Sequence, residues 1–383
     1  MLRGNRLKVC FYNVTASFIP GGLETYCWEA GRALARRGHE VTIFAGDRGK
    51  AWHDEVKLAQ FPFRIEQDWP DLGVRFRRLM ERSSFARHSI GALVAGGFDA
   101  VIVNKPFDFP ILWRARQKGL TAQTLFRSGG TDFFGGDKLF ANAVTHWVSA
   151  SRYNARQVEA RYGRLVRVIH NGVDTDRFRP YPRQETVRLR YGAGGGDCLV
   201  VSVGRLVGWK GVRVVIEALA GLPENIRYLV VGSGPELENL KAQVQQLGLG
   251  DRVHFAGRVA NAELPQLLSQ CDLYVQPSVG EEAFGISVVE AMACGLPVLA
   301  SDNGGLPEIV LPDVTGQLLV PGDTAIWRKA LGAAALNMER SRSWGEAGRR
   351  RAQDEFTWAA NAAKLESMLL ASTQQGRTIC AVS

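Results

Sequence analysis

The sequence predicts an α/β protein with two doubly wound domains that face a central cleft. The chain has 383 residues, long enough for two domains of roughly 100–200 residues each. Short apolar runs alternate with helical patterns along both halves, which is typical of parallel sheets covered by helices on both faces. Hydrophobic residues at 46% and charged residues at 22% exclude a long disordered or fibrous chain.

The same alternation predicts the order of the elements. The first half begins with a strand at 7–14, a glycine loop and a helix that ends near Arg37, where Gly38 is a stop signal. The remaining elements follow in turn: strands at 41–45, 99–103, 121–126, 144–149, 166–169, 199–203, 227–231, 253–255, 273–276, 297–300 and 317–320, and helices at 210–222, 235–247, 262–270 and 285–294. A polar stretch with two prolines, 176–185, separates the halves. Ligands of such sheets bind at the carboxyl ends of the strands, so the cleft is expected there.

Positive charge is concentrated in the first half. Residues 1–180 hold 28 Lys and Arg against 17 Asp and Glu, a net charge of +11, whereas residues 181–383 hold 19 against 21, a net of −2. The halves are therefore expected to meet different partners, with nucleic acid, an anionic membrane surface and an acidic substrate as candidates. Six cysteines without a CxxC pair or disulfide-like spacing indicate a reducing cytosol. No apolar run approaches the roughly 18 residues of a membrane span.

Two glutamates, Glu282 and Glu290, lie around the predicted start of the helix at 285–294. The backbone N–H groups of Gly285 and Ile286 would lie at the helix N-terminus, where the dipole favours an anion or polar oxygens. A carboxylate there can accept hydrogen bonds from vicinal hydroxyls. An acidic helix start that only complements the dipole is the alternative, and the pattern alone does not separate the two.

Arg205 and Lys210 lie on a glycine-flanked loop directly after the strand at 199–203. A guanidinium offers a bidentate fork and an ammonium offers a mobile point charge, a pair that suits a diphosphate. An ordinary solvated loop is the alternative, but the carboxyl end of a strand favours a functional role.

Two glycine loops, Gly21-Gly22 and the segment 231–235, each follow a predicted strand. Such glycines let the backbone approach a phosphate or a nucleoside closely. Neither loop matches GxGxxG or the P-loop, because no Gly-Lys-Ser/Thr follows, so a dinucleotide dehydrogenase and a kinase are disfavoured.

Taken in order, these segments resemble glycosyltransferase family 4, the retaining nucleotide-sugar transferases of GT-B fold. The resemblance covers nearly the whole chain and is strongest in residues 199–320; it is carried by Gly21-Gly22, Asn171–Asp174, Gly204-Arg205, Lys210-Gly211, Val231–Pro235, Phe255–Val259, Glu282 with Glu290, Gly304–Glu308 and Phe356–Trp358. It implies Rossmann-like domains for the acceptor at 1–178 and for the donor at 179–355. A C-terminal helix at 356–375 would cross back to the first domain.

The resemblance also implies roles for individual residues. Arg205 and Lys210 would hold the donor diphosphate and stabilise the departing nucleoside diphosphate, and Glu282 would bind hydroxyls of the transferred sugar. The implied donor-binding residues are Gly22, Gly204, Gly232, Val259 (to the base), Phe284, Gly285, Ile286 and Glu290 (to the ribose). The acceptor would attack from the front face while the leaving phosphate helps to remove its proton. No metal or other cofactor is expected.

One departure from the family concerns the acceptor side. Many members carry a histidine near the end of the strand equivalent to 121–126, where this sequence has Arg127 to Asp132 and no histidine. Arg127 could supply positive charge to the cleft and Asp132 could contact the acceptor; a glycine-rich turn with a capping aspartate is equally compatible. Asp174-Thr175-Asp176 spells a DxD motif, but it lies in the interdomain signature, so we interpret it as turn chemistry.

Residues 74–94 have the pattern of a basic amphipathic helix. Arg75, Arg77, Arg78 and Arg82 could bind anionic lipid, where each basic residue contributes roughly 1 kcal/mol. Alternatively the apolar side packs into the domain and the arginines are solvated.

The predicted function is transfer of a hexosyl group from a UDP- or GDP-linked sugar to a hydroxyl of a cell-envelope glycan or glycolipid, at the cytoplasmic face of the membrane. A nucleotide-sugar epimerase or hydrolase on the same scaffold is the alternative. A nucleic-acid-binding protein fits the positive charge, but no RRM, KH or helix-turn-helix pattern and no interleaved exposed aromatic residues support it.

Overall fold

The computed structural model describes residues 6–19 and 21–382, which divide into two compact units. The first unit contains the described residues up to Asn171 together with those from Trp358 onward, and the second contains Gly172–Thr357. The predicted domains ended at 178 and 355, a few residues from these boundaries. The predicted helix at 356–375 begins at Trp358 and continues to Val382.

The first unit is built on a seven-stranded sheet in which every pairing is parallel. Its strands are β1 (Lys8–Tyr12), β2 (Glu40–Gly46), β3 (Lys57–Phe61), β4 (Ala100–Val103), β5 (Gln123–Ser128), β6 (His146–Ser149) and β7 (Arg167–Val168), in the order β3-β2-β1-β4-β5-β6-β7. Val9 pairs with Val41 on one side and with Ala100 on the other. These central strands are nearly fully buried, as strands between two helical layers must be.

Helices cover the sheet of the first unit: α1 (Gly22–Arg36), α2 (Val74–Ala95), α3 (Phe109–Gln117), α4 (Arg152–Tyr162) and the C-terminal helix (Trp358–Val382). The C-terminal helix packs on α1, with the rings of Trp358 and Tyr26 6.1 Å apart. Leu365 and Leu369 lie in the same apolar core as β1. The chain therefore returns to its first domain, as predicted, because this helix completes that domain's core.

The second unit has a six-stranded sheet, again with only parallel pairings. Its strands are β8 (Cys198–Val203), β9 (Ile226–Val231), β10 (Val253–Gly257), β11 (Leu273–Gln276), β12 (Val298–Ser301) and β13 (Gly316–Leu319), in the order β10-β9-β8-β11-β12-β13. Its helices are α5 (Glu185–Arg190), α6 (Val212–Leu219), α7 (Leu237–Gln246), α8 (Leu264–Leu268), α9 (Ile286–Ala293), α10 (Thr324–Leu336) and α11 (Met338–Glu355).

The order of the strands reverses between β8 and β11, which lie side by side through Leu273 with Val200 and Tyr274 with Val201. In an open parallel sheet this reversal opens a crevice at the carboxyl ends of the two strands. The loops after β8 and β11 are therefore the places where the fold of the second unit can hold a ligand.

Six of the described elements had no bounds in the sequence prediction: β3, α3, α4, α5, α10 and α11. β3 is an edge strand with polar Lys57 and Gln60, so it lacks the apolar run that marks the central strands. The buried side of α11 consists largely of small residues such as Gly345 and Gly348 around Trp344, which leaves no apolar stripe to detect.

The described cysteines are unpaired thiols. Cys10, Cys27, Cys198, Cys271 and Cys294 are free and buried; Cys380 lies outside the residues whose side chains are described. Burial raises the pKa of the Cys27 thiol to about 12, which keeps it protonated and unreactive at neutral pH. Within the described part of the chain, no helix is long and apolar enough to cross a membrane.

Candidate active site

Lys210 and Glu282 form an ion pair at the switch point of the second sheet. Lys210 ends a short 3-10 helix in the loop after β8, and Glu282 lies in the loop between β11 and α9. The Lys210 ammonium donates to Glu282 Oε1 at 2.5 Å, and both side chains are largely buried. Two residues 72 positions apart in the sequence are thus brought into direct contact.

Glu282 Oε1 has two further donors that the sequence analysis missed. Gln276 Nε2 and Ser278 Oγ each donate to it at 2.8 Å. Tyr274 in turn donates its hydroxyl to Gln276 Oε1 at 2.9 Å, which orients the amide. A polar residue at the carboxyl end of a buried strand was the available signal, because Gln276 closes the apolar run of β11. These bonds hold one carboxylate oxygen of Glu282 in a defined position.

Arg205 lies on the same loop as Lys210, and both line a small pocket with Gln276. Its side chain is exposed, and among the described residues it has no hydrogen bond or ion pair. Gly204 adjoins the Lys210 side chain, and a Cβ at this position would make ordinary contact with Lys210 Cε at 3.7 Å. The three predicted catalytic residues Arg205, Lys210 and Glu282 therefore belong to one site.

Gly232 follows β9 and packs directly against the loop of Arg205. Its φ is +140°, and a Cβ would lie 1.8 Å from the Gly204 carbonyl oxygen. A side chain is therefore impossible there for a reason that needs no ligand, namely the contact between two backbones. The predicted approach of Gly232 to a donor stays a prediction.

The residues at the start of α9 have different environments. Phe284 is buried with its ring 5.8 Å from that of Phe356, so only its backbone can meet a ligand. Gly285 precedes the helix with φ +115°, and the amides of Ile286 and its neighbour stand in the first turn, where no helical carbonyl accepts them. Glu290 is buried and lies in the second turn of the helix.

Val259 lies two residues beyond β10 and is half-buried. Val259, Gly232, Gly204 and Gln276 therefore end or follow four consecutive strands of the sheet, β10, β9, β8 and β11. The predicted donor residues of the second unit lie along one edge of its sheet.

On the first unit, Gly22 is the exposed first residue of α1. Two residues later, Glu24 is buried and accepts a hydrogen bond from Thr15 Oγ1 at 2.5 Å. A Cβ on Gly21 would lie 2.5 Å from the other Glu24 oxygen. Glycine at position 21 thus leaves room for the Glu24 carboxylate beside the start of the helix.

The structure corrects the expectation for Arg127, which is 1% exposed inside the first unit. Its guanidinium lies 4.0 Å above the Tyr26 ring and donates to Asn171 Oδ1. Burial lowers the pKa of Arg127. Its charge meets an aromatic face and an amide of the same unit, so the placement favours a packing role.

Asp132, the other acceptor-side candidate, is partly exposed and lies among cations. It accepts from Arg78 at 2.6 Å and lies 3.6 Å from the Lys105 ammonium. Burial and the neighbouring Arg82 guanidinium lower the pKa of Lys105. Asp132 remains an accessible polar group, and its contact with an acceptor stays a prediction.

The prediction that Arg82 of α2 contributes to a membrane-binding surface is wrong. Arg82 is 2% exposed and binds both oxygens of buried Asp108 at 2.6 and 2.7 Å. Arg78 is committed to Asp132 and Arg77 lies 3.6 Å from Asp71. Of the four arginines, Arg75 alone is exposed and, in the described part of the chain, unpaired. Helical spacing could not reveal this because the partner Asp108 lies on a distant element.

The DxD segment behaves as a turn. Asp174 Oδ1 accepts hydrogen bonds from the backbone N–H groups of Asp176 and Arg177, each at 3.2 Å. This is the side-chain-to-backbone pattern that aspartate supplies in turns, and it confirms the interpretation as turn chemistry.

Comparison with known families gives two matches that together span most of the chain. Residues 20–177 match the family described as Glycosyltransferase Family 4, and residues 184–351 match Glycosyl transferases group 1. The junction between the matches falls in the polar stretch between the predicted halves.

Curated relatives match over almost the full length. A GDP-mannose-dependent alpha-(1-6)-phosphatidylinositol monomannoside mannosyltransferase of Mycolicibacterium smegmatis is 30% identical over 386 residues, covering 93% of this chain and 97% of the relative. A D-inositol 3-phosphate glycosyltransferase of Xylanimonas cellulosilytica is 29% identical over 394 residues, covering 93% of each protein.

Among solved structures, sucrose-phosphate synthase of Thermosynechococcus elongatus superposes with a TM-score of 0.81 at 23% identity. The match covers 99% of this chain and 100% of the other. At this identity the likeness concerns the fold, and it confirms the predicted class of two Rossmann-like, parallel-sheet domains.

Proposed function

The chain belongs to glycosyltransferase family 4, and on that premise we propose that it is a retaining hexosyltransferase. As a member it is a nucleotide-sugar glycosyltransferase. The proposed donor is a UDP- or GDP-linked hexose, the proposed acceptor is a hydroxyl of a cell-envelope glycan or glycolipid, and the reaction is proposed to need no metal. The relative from Mycolicibacterium smegmatis is named for GDP-mannose and for a phosphatidylinositol acceptor, so GDP-mannose is the first donor to test.

The bond between Lys210 and Glu282 at the switch point carries this proposal. Before a donor binds, the ammonium neutralises a carboxylate that would otherwise be buried without a counter-charge. A diphosphate is a stronger partner for Lys210, because it brings two charged groups with several acceptor oxygens. When Lys210 turns to the diphosphate, Glu282 becomes free to accept hydrogen bonds from hydroxyls of the sugar.

Arg205 supplies a second cation on the same loop. Its exposed guanidinium has no partner among the described residues, so it can bind the diphosphate without breaking an existing bond. Charge that develops on the leaving group is stabilised by Arg205 and Lys210, and such preorganised stabilisation is usually the largest contribution to catalysis.

The proposed chemistry requires few proton carriers from the protein. The bond between the anomeric carbon and the β-phosphate oxygen breaks, and the acceptor oxygen bonds to the same carbon from the same face. The acceptor's proton moves to the departing phosphate oxygen. Glu282 is bonded to Lys210, Gln276 and Ser278, which suits it to orient the sugar and does not suit it to attack as a nucleophile.

A ligand screen followed by product analysis tests this function. GDP, UDP and their hexose conjugates are screened by thermal shift, because a ligand at about 100 times its Kd stabilises the fold by about 2.7 kcal/mol. The donor found is then incubated with lipid and glycan acceptors, and the anomeric configuration of the product is read by NMR. An inverted product would contradict retention. Release of free sugar with no dependence on acceptor would favour the hydrolase alternative.

Glycolipid acceptors would place the protein at the cytoplasmic face of the membrane as a peripheral protein. The net charge of +11 in residues 1–180 supports this location, since anionic lipids attract basic surfaces. Binding to nucleic acid at low salt, in place of anionic vesicles, would contradict it.

A further inference from the structure

Three large apolar side chains outside α2 are exposed on the first unit. Trp113 on α3 is 47% exposed, Leu139 in the 3-10 helix Asp137–Ala143 is 79% exposed, and Leu165 in the turn before β7 is 87% exposed. Together they are called the apolar patch below.

The 3-10 helix contacts both of the other elements that carry the apolar patch. On one side the Trp113 ring packs edge-on against Phe140, with centroids 5.8 Å apart. On the other side Arg164 donates to Asn142 Oδ1 at 2.5 Å, which brings the turn of Leu165 against the same helix.

The surroundings of the apolar patch are rich in positive charge. Two carboxylates adjoin it, and both are engaged: Asp137 pairs with Arg161, and Glu159 accepts a hydrogen bond from the Val166 backbone N–H. Segments 109–118, 138–143 and 163–169 contain six basic residues and no aspartate or glutamate. In the portion of the chain that the structure describes, none of the six takes part in an ion pair. Five are exposed and the sixth, Arg116, is half-buried; the exposed ones are Arg114, Lys118, Lys138, Arg164 and Arg167.

A groove opens at the edge of the same sheet, on the face that the C-terminal helix covers. The edge strand β7 forms one wall with Arg167, and the C-terminal helix forms the other with Lys364 and Ser367. Both cations are exposed and, as far as the structure is described, unpaired. A guanidinium, an ammonium and a hydroxyl that face one groove offer the donors that a phosphate group requires.

We propose that the apolar patch and its basic surroundings dock the first unit on an anionic phospholipid bilayer. The Trp113 indole and the two leucines enter the interface, where tryptophan is favoured. The cations neutralise lipid phosphates, and the groove between Arg167 and Lys364 holds one headgroup phosphate. The inference rests on the proposed peripheral location and moves the contact from α2 to the α3 side of the unit.

Vesicle flotation of the full-length protein tests this surface. Vesicles of phosphatidylcholine and phosphatidylglycerol in equal amounts are compared with vesicles of phosphatidylcholine alone. One variant, Leu139→Asp/Leu165→Asp, removes the apolar contact, and a second, Arg164→Glu/Arg167→Glu, reverses two charges. Arg75→Glu/Arg87→Glu on α2 is the matched control, with the same change of net charge at two exposed positions.

The wild type is expected to float with the anionic vesicles in a salt-sensitive manner. Each basic residue near an anionic surface contributes about fivefold to partitioning, so Arg164→Glu/Arg167→Glu should lower it by at least about 25-fold. Partitioning of the leucine variant onto the vesicles should fall by at least about tenfold. Partitioning of the α2 control should fall much less than that of either patch variant. An unchanged thermal shift with the nucleoside diphosphate shows that each variant is folded.

The other outcomes overturn the proposal in distinct ways. If both patch variants float as the wild type does, or if the α2 control loses more vesicle binding than they do, the membrane contact lies elsewhere on the protein. The peripheral location would still stand in that case. Equal binding to neutral vesicles would remove the role of charge, and no binding by the wild type would end the peripheral location as well. Sedimentation analysis could also show that the wild type is a dimer and that the Leu139→Asp/Leu165→Asp variant is a monomer. In that case this face would be a contact between two copies of the chain.

Discussion

Replacing Lys210 with methionine separates a catalytic role of the Lys210–Glu282 pair from a merely structural one. Methionine keeps much of the aliphatic stem and removes the ammonium. Glu282 would keep its bonds from Gln276 and Ser278 at 2.8 Å but lose its counter-charge while still buried. We expect Lys210→Met to lower the free energy of unfolding by about 2 kcal/mol, the cost of leaving a buried charged group without its partner.

The double variant Lys210→Met/Glu282→Gln distinguishes the two roles. With the carboxylate neutralised, its destabilisation should be smaller than the sum of the two single changes by at least about 1 kcal/mol. Turnover should not recover in the double variant. The donor diphosphate still lacks the Lys210 ammonium, and the sugar still lacks the Glu282 carboxylate. Each single variant should lose about 100- to 1000-fold in kcat, the usual effect of removing one group that stabilises transition-state charge.

Urea unfolding and release of the nucleoside diphosphate measure these two quantities on the same preparations. Lys241→Met is the matched control, since Lys241 pairs with Glu238 at 2.9 Å on an exposed helix; its effect on stability should stay within about 0.5 kcal/mol. A double variant that regains near-wild-type turnover would refute the catalytic role. So would a Lys210→Met protein with normal kcat.

Three further predictions concern the fold and the cofactor requirement. Gly232→Ala should lower stability by about 2 kcal/mol or more and reduce donor affinity, because its Cβ would meet the Gly204 carbonyl at 1.8 Å; Gly250→Ala, which has open space, serves as the control in urea unfolding. Arg82→Met should cost about 3–5 kcal/mol by stranding buried Asp108, and a change under about 0.5 kcal/mol would mean that the pair is solvated. EDTA should leave turnover unchanged; strong inhibition would restore the metal-binding interpretation of the DxD segment.

The central strands of both sheets were predictable because each is a continuous apolar run between helical patterns. Leu273–Gln276 was predicted with its observed bounds, and the other central strands differ by a few residues. β3 escaped because an edge strand is buried on fewer sides and tolerates Lys57 and Gln60. The hydrophobic pattern of a segment therefore depends on how deeply the segment is buried. It identifies buried strands and misses a strand whose side chains are partly exposed.

Site residues were predictable where their chemistry is local. Arg205 and Lys210 share one loop, so a short segment was enough to suggest an anion site. The pairing of Lys210 with Glu282 was not foreseen, because it joins loops after two strands that become neighbours only in the sheet order. Gln276 and Ser278 lie within six residues of Glu282, and they were missed because the sequence does not show which way their side chains turn.

Sequence alone determined the class of fold, the family and the residue types available for a diphosphate and a sugar, since these follow from patterns within short segments. Tertiary structure decided which charges are free to act. Arg127 and Arg82 are as basic in sequence as Arg205, yet one lies against Tyr26, another is bound to Asp108, and only Arg205 is exposed. The reason is that the burial of a charged side chain and the partners it meets depend on residues far away in the sequence. Burial and partners together set the free energy of the charge.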